Sequence, residues 1–223
     1  MIDWMKNYGN NCWMSIFYNN HDNPRMISKV SSEERYILPL ARLLATLQLT
    51  LKGTPFIFQG DEMGLVNYPF ISMEEITDVE AKGKYAELLE EGMTSERAFQ
   101  IIVAGTREHT RVLLPWNNLK EGTRPELIQK IRPEITRFYK KMIALRKQEP
   151  ALVYGDFTVL SKQKDRFVYK RSDEQTEFII DCNLGDKFRQ AWNAKGYELV
   201  MPIRTKNIRL LQPYAIRIYK KQK

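Results

Sequence analysis

The chain has few cysteines and no long apolar run, and these absences exclude several classes of protein. Only two cysteines occur among 223 residues, Cys12 and Cys182, so a disulfide framework is not expected and both thiols should be free in a reducing cytosol. No stretch approaches the roughly 18 consecutive apolar residues that a membrane-spanning helix requires. The first six residues lack the basic-then-apolar pattern of a secretory signal. We therefore expect a cytoplasmic protein with no membrane association.

The net charge of +8 raises the question of a nucleic-acid ligand. Most Lys and Arg residues alternate with acidic residues, and only Lys220, Lys221 and Lys223 form a basic cluster, which is short. The sequence shows neither zinc-finger spacing nor the interleaved aromatics of a single-strand-binding surface. A solvated basic surface explains the charge, so we expect no nucleic-acid partner.

The first third of the chain has the order strand, polar loop, helix, strand, polar loop. Residues 15–19 read as a short strand that ends in a polar cluster. Ser31 and Glu34 have capping-box spacing and predict a helix start, although Pro39 should delay or bend that helix. The apolar run at 54–59 predicts a strand buried on both faces. Such a βαβ unit places polar residues at the ends of parallel strands, where active sites of α/β folds lie.

The middle of the chain is predicted to be helical. Residues 73–105 read as two helices separated by Gly92, with Thr94 or Ser95 capping the second. A strong amphipathic helix should begin at Pro133, because proline is acceptable in a first helical turn.

The character of the sequence changes after about residue 150. Short β-rich runs follow at intervals of roughly ten residues, separated by turn-forming stretches, a pattern typical of a small antiparallel β-sandwich. We place a domain boundary near 149/150, with domains 1–149 and 150–223. The predicted strands are 152–160, 166–171, 176–182, 197–203 and 214–219.

The first third of the chain contains two motifs. Residues 19–25 read N-N-H-D-N-P-R, and residues 53–64 read G-T-P-F-I-F-Q-G-D-E-M-G. The first resembles the fourth conserved region, N-N-H-D-x-P-R, of the α-glucosidases of the α-amylase superfamily, glycoside hydrolase family 13. The second resembles that family's G-T-P-Y-I-Y-Q-G-E-E-I-G, which marks the eighth barrel strand. The joint order and spacing of the two carry more weight than either motif alone.

Further segments resemble the oligo-α-1,6-glucosidases and dextran glucosidases of that family. These are N-Y-P-F at 67–70 and D-V-E at 78–80. The family's R-D-N-A-R-T-P-M-Q-W appears at 107–116 as R-E-H-T-R-V-L-L-P-W, with both arginines and the tryptophan in place and the middle changed.

The resemblance implies a fold of class α/β plus all-β. The chain should form the C-terminal part of a (β/α)8 barrel, with its last two strands and their helices, followed by the antiparallel β-sandwich. A complete barrel needs roughly 250 residues, more than precede the predicted boundary. The chain is expected to start in the sixth barrel helix, so the family's nucleophilic aspartate and acid/base glutamate have no counterpart among these residues.

The same resemblance assigns a role to four side chains. Asp22 matches the carboxylate that stabilises the transition state, and His21 would donate a hydrogen bond to the same glucosyl unit. Arg111 matches the arginine that binds the non-reducing-end hydroxyl, and Glu80 is a candidate for the neighbouring subsite. Without the motifs, a His-Asp pair at a strand end is usually a surface pair, and Arg111 and Glu80 would be surface charges. No cofactor or metal is implied.

Three interpretations of the function stay open. The chain could be a fragment of an enzyme that cleaves α-glucosidic bonds, preferentially α-1,6 bonds of small oligosaccharides, inactive by itself; this is the reading we favour. It could instead be a non-catalytic module that binds α-glucosyl oligosaccharides, or one subunit of a split glucosidase whose partner is an N-terminal barrel half. Unpaired barrel strands expose edges that associate, so a homo-oligomer is also expected.

Overall fold

The computed structural model describes residues 12–114, 125–201 and 209–223. These residues form two compact units. We call the first the sheet unit; it draws on 12–17, 34–56 and the chain from 135 onward. The second, the loop unit, contains Tyr18–Glu33 and Ile57–Glu134. The boundary near 149/150 stays a prediction.

Helices and strands alternate in the first part of the chain, and strands dominate the last. The α-helices are α1 (Met26–Val30), α2 (Ile37–Thr50), α3 (Val79–Glu90), α4 (Ser95–Gly105), α5 (Pro125–Gln148) and α6 (Pro150–Val153). The strands are β1 (Ser15–Ile16), β2 (Thr54–Pro55), β3 (Asp156–Gln163), β4 (Arg166–Ser172), β5 (Thr176–Asn183), β6 (Arg189–Gln190), β7 (Glu198–Met201), β8 (Leu210–Leu211) and β9 (Ile216–Gln222). None of the helices within the described ranges is both long and apolar enough to cross a membrane.

Strands β1 and β2 form a parallel pair in the sheet unit. Ser15 is paired with Thr54, and Ile16 with Pro55. Both strands are shorter than the predicted 15–19 and 54–59. Directly after β2, the amide of Phe56 still donates to the carbonyl of Ile16, and the carbonyl of Phe56 accepts a hydrogen bond of 2.6 Å from the side chain of Gln48. The predicted βαβ unit is therefore present, because β1 and β2 pair in parallel and helix α2 lies between them in the chain.

Helix α2 begins later than the capping-box pattern predicts. A 3₁₀ turn occupies Glu34–Tyr36, and Ser31 accepts a hydrogen bond from the amide of Glu33 rather than capping a helix. Helix α2 starts at Ile37, so Pro39 lies in its first turn, where its missing N–H is not needed. The predicted delay by Pro39 is therefore confirmed, and the predicted cap at Ser31 is wrong.

The helices of the middle region agree with the sequence in number but not in every bound. Helices α3 and α4 are separated by Gly92, and the Thr94 side chain accepts a hydrogen bond from the amide of Arg97, as predicted. The predicted start of α5 at Pro133 is wrong: the helix begins at Pro125 and contains Pro133 in its interior. A long helix can lose one backbone hydrogen bond to an internal proline when packing stabilises the rest.

The C-terminal strands form an antiparallel sheet of five strands in the order β3-β4-β5-β9-β7, and β6 pairs separately with β8. One face of the large sheet buries Val168, Ile179 and Tyr219 beneath Trp192 and Tyr197. Strand β3 begins at 156 rather than at the predicted 152, because Pro150 instead opens helix α6. The predicted runs at 166–171 and 176–182 are confirmed as strands, and the run at 214–219 is confirmed from Ile216 onward. Within 197–203, strand β7 covers 198–201, and 202–203 lie outside the described residues. Trp116 and the sixth barrel helix expected at the start of the chain also lie outside them.

Candidate functional site

The polar loop after β1 presents the side chain of Asp22. Asn20 shapes this loop, because its side-chain oxygen accepts hydrogen bonds from the Asp22 amide (3.0 Å) and from the Asn23 side chain (2.9 Å). The Asp22 carboxylate is 49% exposed, and Nε2 of His21, a side chain 72% exposed, lies 3.3 Å from Asp22 Oδ2. Both side chains predicted to contact a sugar are therefore accessible to one.

Arg111 reaches this loop from 89 residues further along the chain. Its Nη2 donates to Asp22 Oδ1 at 3.0 Å, and its Nε donates to the main-chain carbonyl of His21 at 3.0 Å. The fork of the guanidinium thus fixes both the carboxylate and the backbone that carries it. The structure brings three of the four predicted site residues into direct contact.

The fourth predicted residue, Glu80, joins the same group through Arg107. Arg107 Nη2 lies 3.0 Å from Glu80 Oε2, and Arg107 Nη1 lies 3.9 Å from Asp22 Oδ1. Asp78 holds Arg107 with two hydrogen bonds, from Nε (2.5 Å) and Nη2 (2.9 Å). The sequence analysis did not assign Arg107 and Asp78 to the site, although both belong to motifs that it identified.

The Asp78–Arg107 pair shifts the protonation equilibria of both groups. The hydrogen bonds from Arg107 lower the pKa of the Asp78 carboxyl, and the same bonds raise the pKa of the Arg107 guanidinium. Both groups are therefore charged at neutral pH, and the site has a fixed ion pair beside the more exposed Asp22 and Glu80.

These charged groups line an open cleft of about 400 Å³ in the loop unit. Its apolar part is formed by Ala81, Ile101 and Ile102, and its charged part contains three carboxylates and two cations. Volumes of this order suit a small ligand such as a mono- or disaccharide. Its charged residues are Asp22, Asp78, Glu80, Lys84 and Arg107.

A buried cluster anchors the loops that carry the site. The Asn19 side chain donates to Asp61 Oδ1 at 2.7 Å, and its oxygen accepts from the Met26 amide at 2.7 Å. Arg25 Nη1 lies 3.7 Å from Asp61 Oδ1 and donates to the carbonyl of Gln59 at 2.8 Å. Burial raises the pKa of Asp61 to about 6, against the opposing effect of Asn19 and Arg25. These contacts give Asp61 a structural role rather than a place in a catalytic pair.

No cluster of three or more His, Cys, Asp and Glu side chains suited to a metal ion occurs in the described part of the chain. The side chains that the structure brings together at this site are carboxylates, guanidinium groups and an imidazole. Such a set binds polyhydroxyl ligands through charge-assisted hydrogen bonds.

A strand-end carboxylate with a neighbouring histidine and a forked arginine is the arrangement expected of a glycoside hydrolase of the α-amylase type. Residues 1–155 match the family model of the α-amylase catalytic domain, and the chain belongs to that family.

Several of the relatives are named 1,6-glucosidases. The oligo-1,6-glucosidase of Halalkalibacterium halodurans is 32% identical over 198 residues, which cover 81% of this chain and 35% of the relative. The palatinase of Erwinia rhapontici is 32% identical over 197 residues, 80% of this chain and 36% of the relative. The chain thus spans little more than a third of the length of these relatives.

Solved structures of the family have the same fold over nearly all of this chain. An isomaltulose synthase mutant from Erwinia rhapontici, in complex with sucrose, aligns with a TM-score of 0.82 and 25% identity, covering 96% of this chain and 44% of that enzyme. The trehalulose synthase of Pseudomonas mesoacidophila aligns with a TM-score of 0.80 and 26% identity, over 96% of this chain and 44% of the synthase.

Proposed function

We propose that this chain is the C-terminal part of a retaining α-glucosidase that cleaves α-glucosidic bonds, α-1,6 in particular, of small oligosaccharides. The observation that carries the proposal is the contact of Asp22 with both His21 and Arg111, which supports a sugar-binding site. The name oligo-1,6-glucosidase among the relatives supports the choice of linkage.

Each residue has a distinct role in this proposal. Asp22 accepts hydrogen bonds from the 2- and 3-hydroxyl groups of the glucosyl unit, and these bonds strengthen as an oxocarbenium-like transition state forms. His21 donates to the same unit, and Arg111 binds its non-reducing-end hydroxyl. Glu80, on the other side of Arg107, contacts the neighbouring sugar.

The proposal includes a layout for the fold. Residues 1–149 are part of a (β/α)8 barrel with a helical insertion, in which β1 and β2 with their helices are the last two barrel strands, and 150–223 form a β-sandwich. The parallel pairing of β1 with β2 supports the first part, and the antiparallel sheet of β3, β4, β5, β9 and β7 supports the second.

A retaining mechanism needs two carboxyl groups about 5 to 5.5 Å apart on either side of the glycosidic bond, one as nucleophile and one as acid/base. The resemblance supplies no counterpart for either among these residues. Asp22 stabilises charge but does not replace them, so we expect no turnover by these residues alone.

The partner in the proposal is the N-terminal half of a barrel. Within the described residues, no further strand pairs with β1 or β2. The side chains of Trp13, Phe17 and Phe56 beside these strands are about half exposed. Backbone groups at such edges hydrogen-bond to further strands, either of a barrel half or of a second copy of the chain.

Hydrolysis of isomaltose and p-nitrophenyl α-glucoside tests the proposal. The purified chain is assayed alone and mixed with the N-terminal half of a related oligo-1,6-glucosidase, each with Asp22→Asn beside it and Glu90→Gln as an exposed-charge control. We expect no activity from the chain alone. Activity that appears only in the mixture identifies a split glucosidase, and Asp22→Asn should then lower it by at least about 10²-fold. Turnover by the chain alone contradicts the proposal.

A binding measurement separates the remaining alternative. If neither preparation hydrolyses substrate but isomaltose binds saturably in the millimolar range or tighter, and Asp22→Asn abolishes binding, the chain is a sugar-binding module. Absence of both activity and binding removes the assignment of Asp22 as a sugar contact.

A further inference from the structure

The 3₁₀ turn at Arg107–Thr110 contains a buried histidine between two arginines that reach the carboxylates of the sugar site. Only 1% of His109 is exposed. Its Nε2 lies 2.7 Å from the carbonyl oxygen of Val103. Since a carbonyl oxygen only accepts, Nε2 carries the hydrogen, and in the neutral ring Nδ1 has none. The imidazole therefore ties the turn to helix α4.

The rest of the His109 ring lies in apolar surroundings. Its centroid is 5.3 Å from that of Phe70, which belongs to a buried apolar cluster of the loop unit. The Nδ1 atom is buried and has no hydrogen-bond partner among the described residues. A neutral ring tolerates this position, because one unfilled acceptor costs much less than a buried charge. The side chains that pack against the same cluster include Tyr68, Val103 and Val112.

The charged groups around the ring are already engaged in other contacts. Each of the two arginines is paired with an aspartate, and the Glu108 carboxylate accepts from the hydroxyl and the amide of residues 77–78. The segments that pack on the ring add no charge, since 103–106 read V-A-G-T and 67–70 read N-Y-P-F. An imidazolium at this position would therefore lack a free counter-charge from these groups. The titratable groups of the turn and of the two segments are Arg107, Glu108, Arg111 and the Tyr68 phenol.

Protonation of His109 should therefore loosen the turn. Burial lowers the pKa of the imidazole, and the main-chain groups of Val103 and Tyr68 oppose that shift without cancelling it. The stabilisation by the neutral ring is complete above the ordinary value of about 6.5 and is lost as the pH falls through the lowered folded value. A proton on Nδ1 creates a buried cation, and moving the ring toward water relieves its cost.

The position of Arg111 depends on this turn. Its amide donates to the carbonyl of Glu108 at 2.9 Å, which closes the turn around His109. From that backbone position its side chain reaches Asp22 Oδ1 and the carbonyl of His21, both at 3.0 Å. A displacement of about 1 Å takes hydrogen bonds of this length beyond the bonding range. Loosening the turn therefore removes the contact that fixes the Asp22 carboxylate.

We propose that His109 is a positioning residue for Arg111 that works only as a neutral imidazole, so that its protonation releases the turn and weakens sugar binding as the solution becomes acidic. The inference rests on the proposed function, in which Arg111 and Asp22 bind the sugar; His109 itself touches no sugar. The family motif quoted above has asparagine in place of His109. Asparagine does not titrate, so the response belongs to this chain and not to the motif.

The pH dependence of isomaltose binding by the full chain tests this role. Binding is measured by NMR titration at pH 7.5 and pH 5 in the wild type and in His109→Asn, which keeps an N–H donor but does not titrate. The chain has only two histidines, so one proton NMR titration follows both rings, and the variant identifies the His109 signal. Both proteins keep His21, Asp22 and Asp61, so any effect of pH on those groups is common to the two.

The two proteins should bind isomaltose equally at pH 7.5. At pH 5 the wild type should bind about tenfold more weakly than His109→Asn, as expected for a difference of one unit between the pKa values of the closed and the released turn. The wild-type amide signals of residues 107–111 should shift together with the His109 ring, while those of helix α3 stay in place. Glu90→Gln, on the exposed side of α3, should keep the pH dependence of the wild type.

The outcomes separate this inference from the function beneath it. If Asp22→Asn abolishes binding but wild type and His109→Asn depend equally on pH, only the inference is wrong. Weaker binding by His109→Asn with the same factor at both pH values marks a merely structural histidine and also overturns it. If wild type and Asp22→Asn bind isomaltose equally or not at all, the proposed function fails, and no sugar site is left for His109 to position.

The wild-type titration tests the inference even where the variant fails to fold. Amide signals of residues 107–111 that do not follow the His109 ring contradict it. Unfolding of the whole chain at pH 5 contradicts it as well, because the proposed release is confined to the turn.

Discussion

Arg146 and Arg171 donate to the same main-chain oxygen, that of Leu152, each from Nη1 at 2.8 Å. Both guanidinium groups are buried, and burial lowers the pKa of Arg171 to about 10. The pair ties helix α5 and strand β4 to the end of α2 and to the segment before β2. Their other carbonyl partners include Leu49, Thr50, Leu51, Gly53, Val153 and Gly155.

Replacing Arg171 by methionine should therefore destabilise the sheet unit strongly. The substitution keeps an apolar stem of similar length but leaves several buried carbonyl groups without their donor, and we expect a loss of about 3 kcal/mol or more in the free energy of unfolding. Urea unfolding measures it. Arg137→Met on the exposed side of α5 is the control and should change stability by less than about 0.5 kcal/mol; equal losses in the two variants contradict this role.

The buried Asp61 should make stability fall as the pH rises from about 4 to about 6. Its folded pKa of about 6 exceeds the value near 4 of an unfolded aspartate, so the folded state holds the proton more tightly. The stability that this group contributes is present below pH 4 and is lost as the pH rises through 6, by about 3 kcal/mol.

Asp61→Asn removes that titration and should flatten the pH dependence. Urea unfolding of wild type and variant at pH 4.5 and pH 7 gives the difference, with Glu90→Gln as a control for loss of a carboxylate. The absolute stability of the variant reports the lost contact with Arg25, whereas the difference between the two pH values reports the pKa. An unchanged pH dependence in Asp61→Asn would falsify the prediction.

Gly53 should be far less tolerant of alanine than Gly196, although both have positive φ, 138° and 82°. A Cβ at Gly53 would overlap the main-chain oxygen of Met14, which accepts the hydrogen bond from Thr54 that begins the β1–β2 pair. A Cβ at Gly196 meets nothing within 4 Å. We expect Gly196→Ala to cost about 1 kcal/mol of backbone strain and Gly53→Ala at least twice that. Thermal unfolding of the two variants checks the order, and a reversed order would refute it.

A charge at Phe56 should reduce self-association. Phe56 follows β2 directly and is 55% exposed, and a glutamate there is unfavourable in any apolar interface with a second copy. We expect the wild-type chain to form dimers or larger species at micromolar concentrations and Phe56→Glu to shift it toward the monomer in sedimentation velocity. Ile71→Glu, at an apolar side chain that is 82% exposed and belongs to neither strand, is the control. A monomeric wild type contradicts the expected homo-oligomer.

Local patterns predicted most of the secondary structure, and their failures have physical causes. Gly92 and Thr94 give local backbone and capping signals, which is why the break between α3 and α4 is confirmed. Proline signals were ambiguous: the restricted φ of proline suits a first turn, as at Pro150, and is also tolerated inside a long packed helix, as at Pro133.

The site was predicted by resemblance rather than by spacing. Residues 21 and 22 belong to a recognisable motif, but their contact with Arg111 spans 89 residues, which no local pattern encodes. The Asp78–Arg107 pair went unassigned for the same reason, since its members lie 29 residues apart. Asp78 caps helix α3 in the structure, yet a cap alone does not distinguish a structural carboxylate from one that holds a site residue.

The 3₁₀ turn at Arg107–Thr110 has a consequence for recognising distant family members from sequence. Arg107, Glu108 and Arg111 point to the site or to its supporting segment, whereas His109 is buried, with Nε2 2.7 Å from the carbonyl of Val103 and its ring against Phe70. The Thr110 hydroxyl donates back to the carbonyl of Arg107 at 2.9 Å. Residues 109 and 110 contact only their local surroundings in these interactions, so their identity can change when those surroundings change. A sequence profile for distant family members should therefore give weight to the pattern of Arg107, Glu108 and Arg111 and allow any residue at the two positions between Glu108 and Arg111.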